Sequence, residues 1–305
     1  MESFVPEKTV IGIVGIGKMG TQMSKNLVNA GYSLYGFDVK RENVVMLVPD
    51  GVKIAESLAE IAKSSDVLIT MLPSSDDVEF VILAEDGIAE NLSKGKVIID
   101  MSSSYPPRTK LLGDELQKRG FGFLGAPVSG GVIGAENATL AIMPGGPKEL
   151  VDSCMPIFEV LGKKIVHAGE SVDAGHAIKC VNNFLSATNL VASMEAMSLS
   201  KKLGLDPEKT LSVLNSGSGL NAATKDKWPR FLLPRDFNCG FSTGLMYKDL
   251  TMGSDLARES GATFFIMNHV RQVYGLGVAK FGANSDQTLL LKLIEEWAGI
   301  DEEKK

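Results

Sequence analysis

The feature that most constrains this chain is a short apolar run that leads directly into a glycine-rich turn. Residues 9–14 read TVIGIV, as expected of a buried strand, and Gly15, Gly17 and Gly20 follow before apolar residues recur with helical spacing. In such a turn the first glycine permits the tight bend, the second lets backbone approach a pyrophosphate, and the third lets helix pack on strand. The helix N-terminus adds N–H groups that bind phosphate. We therefore predict a dinucleotide-binding turn made of Gly15, Ile16, Gly17, Lys18, Met19 and Gly20.

The residue after the second predicted strand bears on the choice of dinucleotide. This strand covers residues 33–37 and ends at Asp38, whose carboxylate is placed to accept hydrogen bonds from an adenosine ribose. A carboxylate repels the 2′-phosphate of NADP, so NAD is the predicted cofactor. Lys40 and Arg41 lie just beyond and could accommodate a phosphate, so NADP stays open as the alternative. The alternative interpretation is that the glycines serve only a βαβ turn and that Asp38 is a solvated loop residue.

Composition limits the class of protein and its partners. A chain of 305 residues with 44% hydrophobic content can form two domains with substantial cores. The net charge of −6 and the lack of a long basic run give no indication of a nucleic acid or an anionic membrane as partner. No apolar stretch reaches the about 18 residues of a membrane span, and the first residues do not resemble a targeting peptide. Cys154, Cys180 and Cys239 are widely spaced, odd in number and without metal-ligand spacing, which favours unpaired thiols in a reducing compartment and no metal site. A cytoplasmic protein is therefore expected.

Two patterns of hydrophobicity divide the chain. As far as about residue 170, short β-branched runs alternate with helical patterns, which is typical of βαβ units. Residues 174–203 then form one long helical stretch that stops at Gly204, and Asp206 and Pro207 begin a series of helices that ends near Gly299. We predict an α/β fold: a Rossmann-type doubly wound sheet in residues 1–170, a long interdomain helix, and an all-α domain within residues 171–305. The tail 301–305 is expected to be disordered. Further strands are predicted at residues 66–71, 96–101, 121–124, 139–143 and 164–166.

Loops at the carboxyl ends of parallel strands collect ligands, and three of these loops are unusual in composition. Residues 71–74 read MLPS, residues 100–104 read DMSSS, and residues 125–131 read GAPVSGG. In the last loop, Ser129 followed by Gly130 and Gly131 can present a hydroxyl and successive backbone N–H groups to one carboxylate. Taken alone, this is also the composition of an ordinary turn.

The long helix carries the best candidates for proton transfer. Lys179 and Asn183 are four residues apart and hence on one face, with Asn182 beside them and apolar residues around them in the sequence. Apolar surroundings destabilise an ammonium and lower its pKa, as a proton-transfer group requires, whereas a helix lysine is ordinarily solvated. The three histidines show no pairing with carboxylates, so a histidine-based dehydrogenase is not favoured. Of the three, His176, close to Lys179, is the most plausible participant.

Together these motifs resemble the β-hydroxyacid dehydrogenase family, whose best-known members are the 3-hydroxyisobutyrate dehydrogenases. The resemblance covers nearly the whole chain and includes the glycine turn and four segments: residues 71–73, 100–103, 126–131 and 179–183. It also includes the Lys248-Asp249-Leu250 motif. The chain departs from the family at Gly125, where an acid is common, at Ala138, where a glycine is common, and at Ser103, where threonine is common.

The resemblance implies an enzyme that interconverts a small β-hydroxy carboxylate and its semialdehyde with NAD. It makes Lys179 the general acid and base, lets Asn183 position the substrate, and places a carboxylate on Ser129, Gly130 and Gly131. It implies homodimers or homotetramers. The remaining site residues that it implies are Asn182 and Lys248 for the substrate and Leu72, Pro73, Ser103 and Lys248 for the cofactor.

Other functions remain open on the sequence. One is reduction of another anionic semialdehyde, of the tartronate, succinic or 2-formylglutarate type, with NADPH as a possible cofactor, for which Arg230 or Arg235 could hold a second carboxylate. Another is an NAD-binding sensor without turnover. A sensor would have no reason to combine Lys179, Asn183 and the 129–131 loop, so the combination favours an enzyme.

Overall fold

The computed structural model describes residues 2–300. The chain forms two compact units, Met1–Lys179 and Cys180–Lys305. The boundary lies inside the long helix, whereas the boundary expected from the sequence, at residue 170, lies just before that helix begins. The tail 301–305, predicted to be disordered, falls outside the described residues.

The first unit is built on a six-stranded parallel sheet with the order β3-β2-β1-β4-β5-β6. Its central strands are continuous apolar runs because helices cover both faces of the sheet. The strand order reverses direction between β1 and β4, and open sheets of this kind bind ligands at that point, outside the carboxyl ends of the strands. The predicted Rossmann-type fold is confirmed. The strands are β1 Val10–Val14, β2 Ser33–Phe37, β3 Lys53–Ile54, β4 Val67–Thr70, β5 Val97–Asp100 and β6 Gly122–Gly125.

Helices on the two faces of this sheet enclose separate apolar clusters. Ile11, Leu34 and Ile99 belong to the cluster on one face, and Leu68 and Ile98 belong to the cluster on the other. This alternation follows from the opposite directions of successive side chains along a strand. The helices of this part are α1 Lys18–Asn29, α2 Arg41–Val45, a 3-10 turn Val48–Asp50, α3 Leu58–Ser64, α4 Ser75–Leu83, α5 Ile88–Asn91, α6 Pro106–Lys118, α7 Gly131–Glu136 and α8 Lys148–Leu161.

A second, smaller sheet follows in the chain. It consists of β7 Val128–Ser129, β8 Leu140–Ile142 and β9 Gly162–Ile165, with β7 antiparallel to β8. The strands predicted at residues 139–143 and 164–166 therefore exist, but they belong to this sheet and do not extend the parallel one. Hydrophobic pattern identifies a strand, whereas its pairing partner depends on contacts distant in sequence. The short strands β3 and β7, of two residues each, were too short for the pattern to reveal.

The second unit is helical, as predicted. It contains most of α9 Ala174–Lys202, whose apolar residues pack with the later helices around Trp228 and Tyr274. Gly204 ends this stretch in the left-handed conformation. The next helix begins as predicted, with the Asp206 side chain accepting a hydrogen bond from the Lys209 N–H at 2.8 Å. The remaining helices are α10 Pro207–Ser216, a π-helix Ala223–Leu232, α11 Thr243–Glu259, α12 Phe265–Phe281, a 3-10 turn Gln287–Leu289 and α13 Leu290–Trp297.

Across residues 2–300, every helix is too short or too polar to span a bilayer.

Candidate active site

The glycine turn joins β1 to α1 and has almost no spare room at two of its glycines. Gly15 has φ of +100°, and a Cβ there would lie 2.4 Å from the Met71 carbonyl oxygen. A Cβ at Gly20 would lie 2.0 Å from the Gly15 carbonyl oxygen. Both positions therefore require glycine for the turn itself, one through its backbone conformation and the close approach of β4, the other through the packing of α1 on the turn.

Gly17 differs from these two glycines. It is the N-cap residue of α1 with φ of −81°, and a Cβ there would meet no atom within 4 Å among the described residues. No side chain of the described part of the chain caps this helix end. The N-terminus of α1 thus faces open space with its backbone exposed, which fits the close approach of a pyrophosphate.

Asp38 has a structural contact that the sequence did not indicate. Its Oδ2 accepts a hydrogen bond from the Ile16 N–H at 2.7 Å, and its Oδ1 accepts one from the Lys40 N–H at 2.8 Å. The carboxylate therefore fastens the end of β2 to the glycine turn. Each carboxylate oxygen can accept more than one hydrogen bond, so both retain capacity toward a ribose.

The loops after β4 and β5 lie beside the turn. The Leu72 N–H donates to the Ser102 hydroxyl oxygen at 2.9 Å, and the Leu72 side chain would lie 2.9 Å from a Cβ at Gly15. Pro73 and Ser103 are the next residues on these two loops. The structure thus gathers the predicted residues Gly15, Ile16, Asp38 and Leu72 at the carboxyl edge of the sheet.

The loop with Ser129, Gly130 and Gly131 lies on the smaller sheet, where β7 leads into α7. Gly130 has φ of +134° and Gly131 has φ of +63°, conformations that favour glycine. Both glycines are exposed, and in the described part of the chain a Cβ at Gly131 would meet no atom within 4 Å. The backbone of this loop is accessible, as binding of a carboxylate through N–H groups requires.

Gly125, one of the departures from the family pattern, has a clear reason in this structure. A Cβ at this position would lie 2.3 Å from the Val172 carbonyl oxygen and 2.9 Å from His176 Nδ1. A side chain is excluded here because the turn before α9 and the imidazole ring of His176 occupy the space.

Lys179 and Asn183 occupy one face of α9, and both are buried, with exposed fractions of 8% and 4%. The apolar residues expected to surround Lys179 do not all do so, because Ile178, Val181 and Leu185 are exposed. Successive helix positions are rotated by about 100°, so these neighbours in the sequence point elsewhere. Lys179 is nonetheless removed from solvent, which is the condition that its predicted role requires.

In the second unit, Asn183 belongs to a polar cluster centred on Asp249. Asn183 Nδ2 donates to Asp249 Oδ2 at 2.5 Å, and Asn182 Nδ2 donates to Asn183 Oδ1 at 3.1 Å. The Lys248 ammonium lies 3.2 Å from Asp249 Oδ1. Because a carboxylate only accepts hydrogen bonds, Asp249 fixes the orientation of the Asn183 amide. The cluster therefore brings three predicted residues, Asn182, Asn183 and Lys248, together around a carboxylate.

Asp249 is a site residue for which no role was predicted from the sequence. Two features of the sequence could have identified Asp249. It belongs to the Lys248-Asp249-Leu250 motif, and it lies on α11 at a position where an apolar residue would otherwise face the core. The carboxylate is buried, with an exposed fraction of 3%.

We expect Asp249→Asn to lower kcat/KM by about 10-fold, because the amide brings N–H groups toward Lys248 and removes the charge that Asn183 and Lys248 share. The measurement is steady-state kinetics with the preferred substrate. The matched control is Asp255→Asn on the same helix, where an exposed ion pair with Arg258 is lost and little change is expected. Equal kinetics for the two variants would contradict an orienting role for Asp249.

The arginines considered for a second substrate carboxylate both have acidic partners. Arg235 donates to both oxygens of Glu295, at 3.1 and 2.8 Å. Arg230 donates to Asp226 at 2.9 Å on the protein surface.

One expectation about the histidines is wrong. His176 Nε2 lies 3.6 Å from Asp100 Oδ2, and both side chains are buried. The pairing was not visible in the sequence because the two residues come from different elements. His167 contacts the Gly146 carbonyl oxygen and His269 that of Phe265 in its own helix.

An open parallel sheet with a glycine-lined helix N-terminus at its switch point defines a dinucleotide-binding protein, and the comparisons with known proteins extend this to the whole chain. Residues 10–169 match the family described as the NAD binding domain of 6-phosphogluconate dehydrogenase. Residues 173–294 match the family described as NAD-binding of NADP-dependent 3-hydroxyisobutyrate dehydrogenase.

Individual relatives agree with these matches. The chain is 34% identical to 2-(hydroxymethyl)glutarate dehydrogenase of Eubacterium barkeri, over 96% of this chain and 98% of the relative. It is 33% identical to mitochondrial 3-hydroxyisobutyrate dehydrogenase of Bos taurus, over 95% of this chain and 88% of the relative. The solved structure of 3-hydroxyisobutyrate dehydrogenase from Mycobacterium tuberculosis with L-serine has a TM-score of 0.85 at 32% identity, covering 94% of this chain and 99% of that one.

The chain belongs to the 3-hydroxyisobutyrate dehydrogenase family. It is an NAD(P)-dependent hydroxyacid dehydrogenase, as the resemblance had implied.

Proposed function

We propose that this enzyme interconverts a small β-hydroxy carboxylate of the 3-hydroxyisobutyrate type and its semialdehyde, with NAD as the cofactor. The observation that carries the proposal is the buried Lys179, one helical turn from a buried Asn183, on the helix that follows an NAD-binding domain. A lysine that served only as a surface charge would be exposed to solvent at this position.

The assigned residues have separate roles in proton transfer and in substrate binding. When bound, NAD supplies the acceptor and donor of hydride. In oxidation Lys179 Nζ removes the proton of the substrate hydroxyl, and in reduction it returns that proton to the developing alkoxide. Asn183 and Asn182 orient the substrate with Lys248, and Ser129, Gly130 and Gly131 bind its carboxylate through a hydroxyl and backbone N–H groups.

Apart from Lys248, the residues that we assign to the cofactor lie in residues 1–170, whereas the catalytic residues Lys179 and Asn183 lie in residues 171–305. The glycine turn holds the pyrophosphate, and Asp38 accepts from the ribose. The other residues that we assign to the cofactor are Leu72, Pro73, Ser103 and Lys248.

A substrate with one carboxylate is favoured over a dicarboxylate. Arg235, one of two arginines considered for a second carboxylate, is engaged with a buried Glu295, and Arg230 with Asp226. Two of the similar proteins are the reason to test other substrates. One is a 2-(hydroxymethyl)glutarate dehydrogenase, and the other is a solved structure that contains L-serine.

The test is a steady-state panel of short hydroxy acids and semialdehydes with NAD(H) and NADP(H). We expect the highest kcat/KM for a β-hydroxy monocarboxylate with NAD. Preference for a dicarboxylate would replace the substrate assignment by the 2-hydroxymethylglutarate alternative. Binding of NADH without turnover of any compound in the panel would favour the hypothesis of an NAD-binding sensor.

The choice between NAD and NADP has a specific structural basis beside Asp38. Arg41, which could bind a 2′-phosphate, instead donates from Nε and Nη2 to both oxygens of Glu56, at 3.0 and 2.5 Å. These hydrogen bonds raise the pKa of Arg41 and lower the pKa of Glu56, so both groups are charged at neutral pH. Glu56 thus neutralises the nearest guanidinium and supports a preference for NAD.

We expect Glu56→Gln to improve NADPH binding relative to NADH by about 3- to 5-fold, the scale of an exposed ion pair. Fluorescence titration with each cofactor measures the ratio of dissociation constants. Glu42→Gln, on the exposed side of α2, makes the same change in net charge without releasing Arg41 and serves as the control. An equal change in both variants would mean that the overall charge, and not the release of Arg41, is responsible.

We also propose a homodimer or homotetramer in the cytoplasm. The exposed apolar side chains Ile178, Val181 and Leu185 on α9 support association, since such residues seek cover from water. The three cysteines without disulfide spacing support a reducing compartment. Light scattering that gives the mass of a single chain, 32.6 kDa, would contradict the assembly.

A further inference from the structure

His176 is a fully buried ring at the beginning of α9, and it contacts two other elements of the first unit. Nε2 lies 3.1 Å from the Ser102 carbonyl oxygen, in the loop after β5. Nδ1 lies 3.0 Å from the Thr109 hydroxyl oxygen, on α6. Neither contact is made to a residue that is assigned above to proton transfer or to the cofactor.

The hydrogen-bond partners determine how the ring is protonated at one end. The Ser102 carbonyl oxygen only accepts, so Nε2 carries a hydrogen and donates it. At the other end the Thr109 hydroxyl can either donate to Nδ1 or accept from it. The Ser102 carbonyl oxygen therefore requires a hydrogen-bond donor, and the Thr109 hydroxyl requires a hydrogen-bond partner. A leucine of similar volume supplies neither.

The loop to which His176 donates is itself organised by Asp100. Asp100 Oδ1 accepts from the Thr70 hydroxyl at 2.9 Å and from the Ser102 N–H at 3.0 Å, and Oδ2 accepts from the Ser104 hydroxyl at 2.6 Å. With His176 Nε2 at 3.6 Å, this carboxylate is enclosed by polar hydrogens. The loop of residues 100–104 is thus held by hydrogen bonds to one carboxylate, and it carries Ser103 of the proposed cofactor site.

The backbone is closely packed around the ring at the start of α9. A Cβ at Gly175 would lie 2.0 Å from the Met143 carbonyl oxygen and 2.6 Å from that of Gly125. A Cβ at Gly125 would lie 2.9 Å from His176 Nδ1. The glycine at 125, where the family often has an acid, therefore makes room for the histidine.

We propose that His176 is a positioning residue, which fixes the first turn of α9 against the 100–104 loop and thereby fixes Lys179, three residues further along the same helix. The inference rests on the proposed function of Lys179. His176 itself does not touch the reacting atoms. A shift of about 1 Å in a proton-transfer group lowers the rate by as much as 100-fold, so a positioning contact at this point has a measurable effect on kcat.

The test compares His176→Leu, His176→Gln and the control His269→Gln, whose exposed ring lies 2.8 Å from the Phe265 carbonyl oxygen of its own helix. A glutamine can donate from Nε2 to Ser102 and accept at Oε1 from Thr109, so it reproduces both contacts. We expect His176→Leu to lower kcat by about 10-fold with KM changed by about 2-fold at most, and His176→Gln to restore kcat to within about 3-fold of wild type. The dissociation constant of NADH and the melting temperature are measured on the same samples.

A purely structural role predicts another result: both His176 variants melt earlier, but the folded protein keeps its kcat, and this would overturn the proposal. If His176→Leu does not fold, Thr109→Val removes one of the two contacts at nearly constant volume, and it should lower kcat in the same direction while KM is maintained. An unchanged kcat in Thr109→Val would then contradict positioning.

Lys179→Ala, run beside these variants, separates this inference from the proposed function. Retained turnover in Lys179→Ala would refute the role of Lys179, and the positioning inference would be refuted with it. Loss of turnover in Lys179→Ala together with full kcat in His176→Leu would refute the positioning role alone.

Discussion

Lys179→Ala is expected to lower kcat by about 100- to 10,000-fold, the usual contribution of general acid–base catalysis. This loss corresponds to about 3 to 5 kcal/mol of transition-state free energy. The physical reason is that no other group is assigned to accept the hydroxyl proton while hydride leaves the carbinol carbon. Steady-state kinetics with the best substrate of the panel measures the effect.

Two comparisons make this expectation specific. Lys202→Ala removes a charge near the other end of the same helix, where the side chain is exposed, and it should leave kcat within about 2-fold because an exposed charge contributes little. NADH binding by Lys179→Ala should remain close to that of wild type, since the pyrophosphate is held by the glycine turn. A Lys179→Ala enzyme with near-normal turnover on the true substrate would show that the assignment is wrong.

Gly17→Ala is expected to weaken NADH binding by about 100-fold while the protein keeps its fold. A methyl group at this position meets no atom within 4 Å in the described part of the chain, and φ of −81° is available to alanine. The folding cost is limited to the preference of a helix N-cap for glycine over alanine, about 1 kcal/mol. The methyl group instead occupies the space through which the pyrophosphate approaches the helix N-terminus.

Fluorescence titration of NADH and thermal melting together test this expectation. Gly217→Ala adds the same methyl group beside α10, with its nearest described atom at 3.5 Å, and should change neither quantity. Gly20→Ala is the opposite case, because its Cβ would lie 2.0 Å from the Gly15 carbonyl oxygen, and it should lower both stability and binding. If Gly17→Ala binds NADH as wild type does, the pyrophosphate does not lie at this glycine.

Much of both units was predictable because the signals are local. The glycine turn, the apolar strands and the helix that begins at Asp206 and Pro207 depend on residues a few positions apart, and all were found in the structure. The pairing of strands was less accessible. Residues 139–143 and 164–166 read as strands of the parallel sheet, yet they join β7 in a separate sheet, since pairing depends on chain segments that are distant in sequence.

The candidate site shows the same division. Lys179 and Asn183 are one turn apart on a helix, so their common face follows from the sequence alone, whereas their burial required the structure. The carboxylate that orients Asn183 comes from Asp249, 66 positions away in the chain. No periodicity links these two residues.

Short patterns of glycine, apolar and polar residues encode the class of fold, the dinucleotide turn and the residue types available for chemistry. The tertiary structure alone decided how those residues are held: Asp38 on the Ile16 N–H, Glu56 on Arg41, and His176 between Ser102 and Thr109. These contacts join segments brought together by packing of the core. The physical reason is that side-chain hydrogen bonds act over about 3 Å in space, whatever the separation of their residues along the chain.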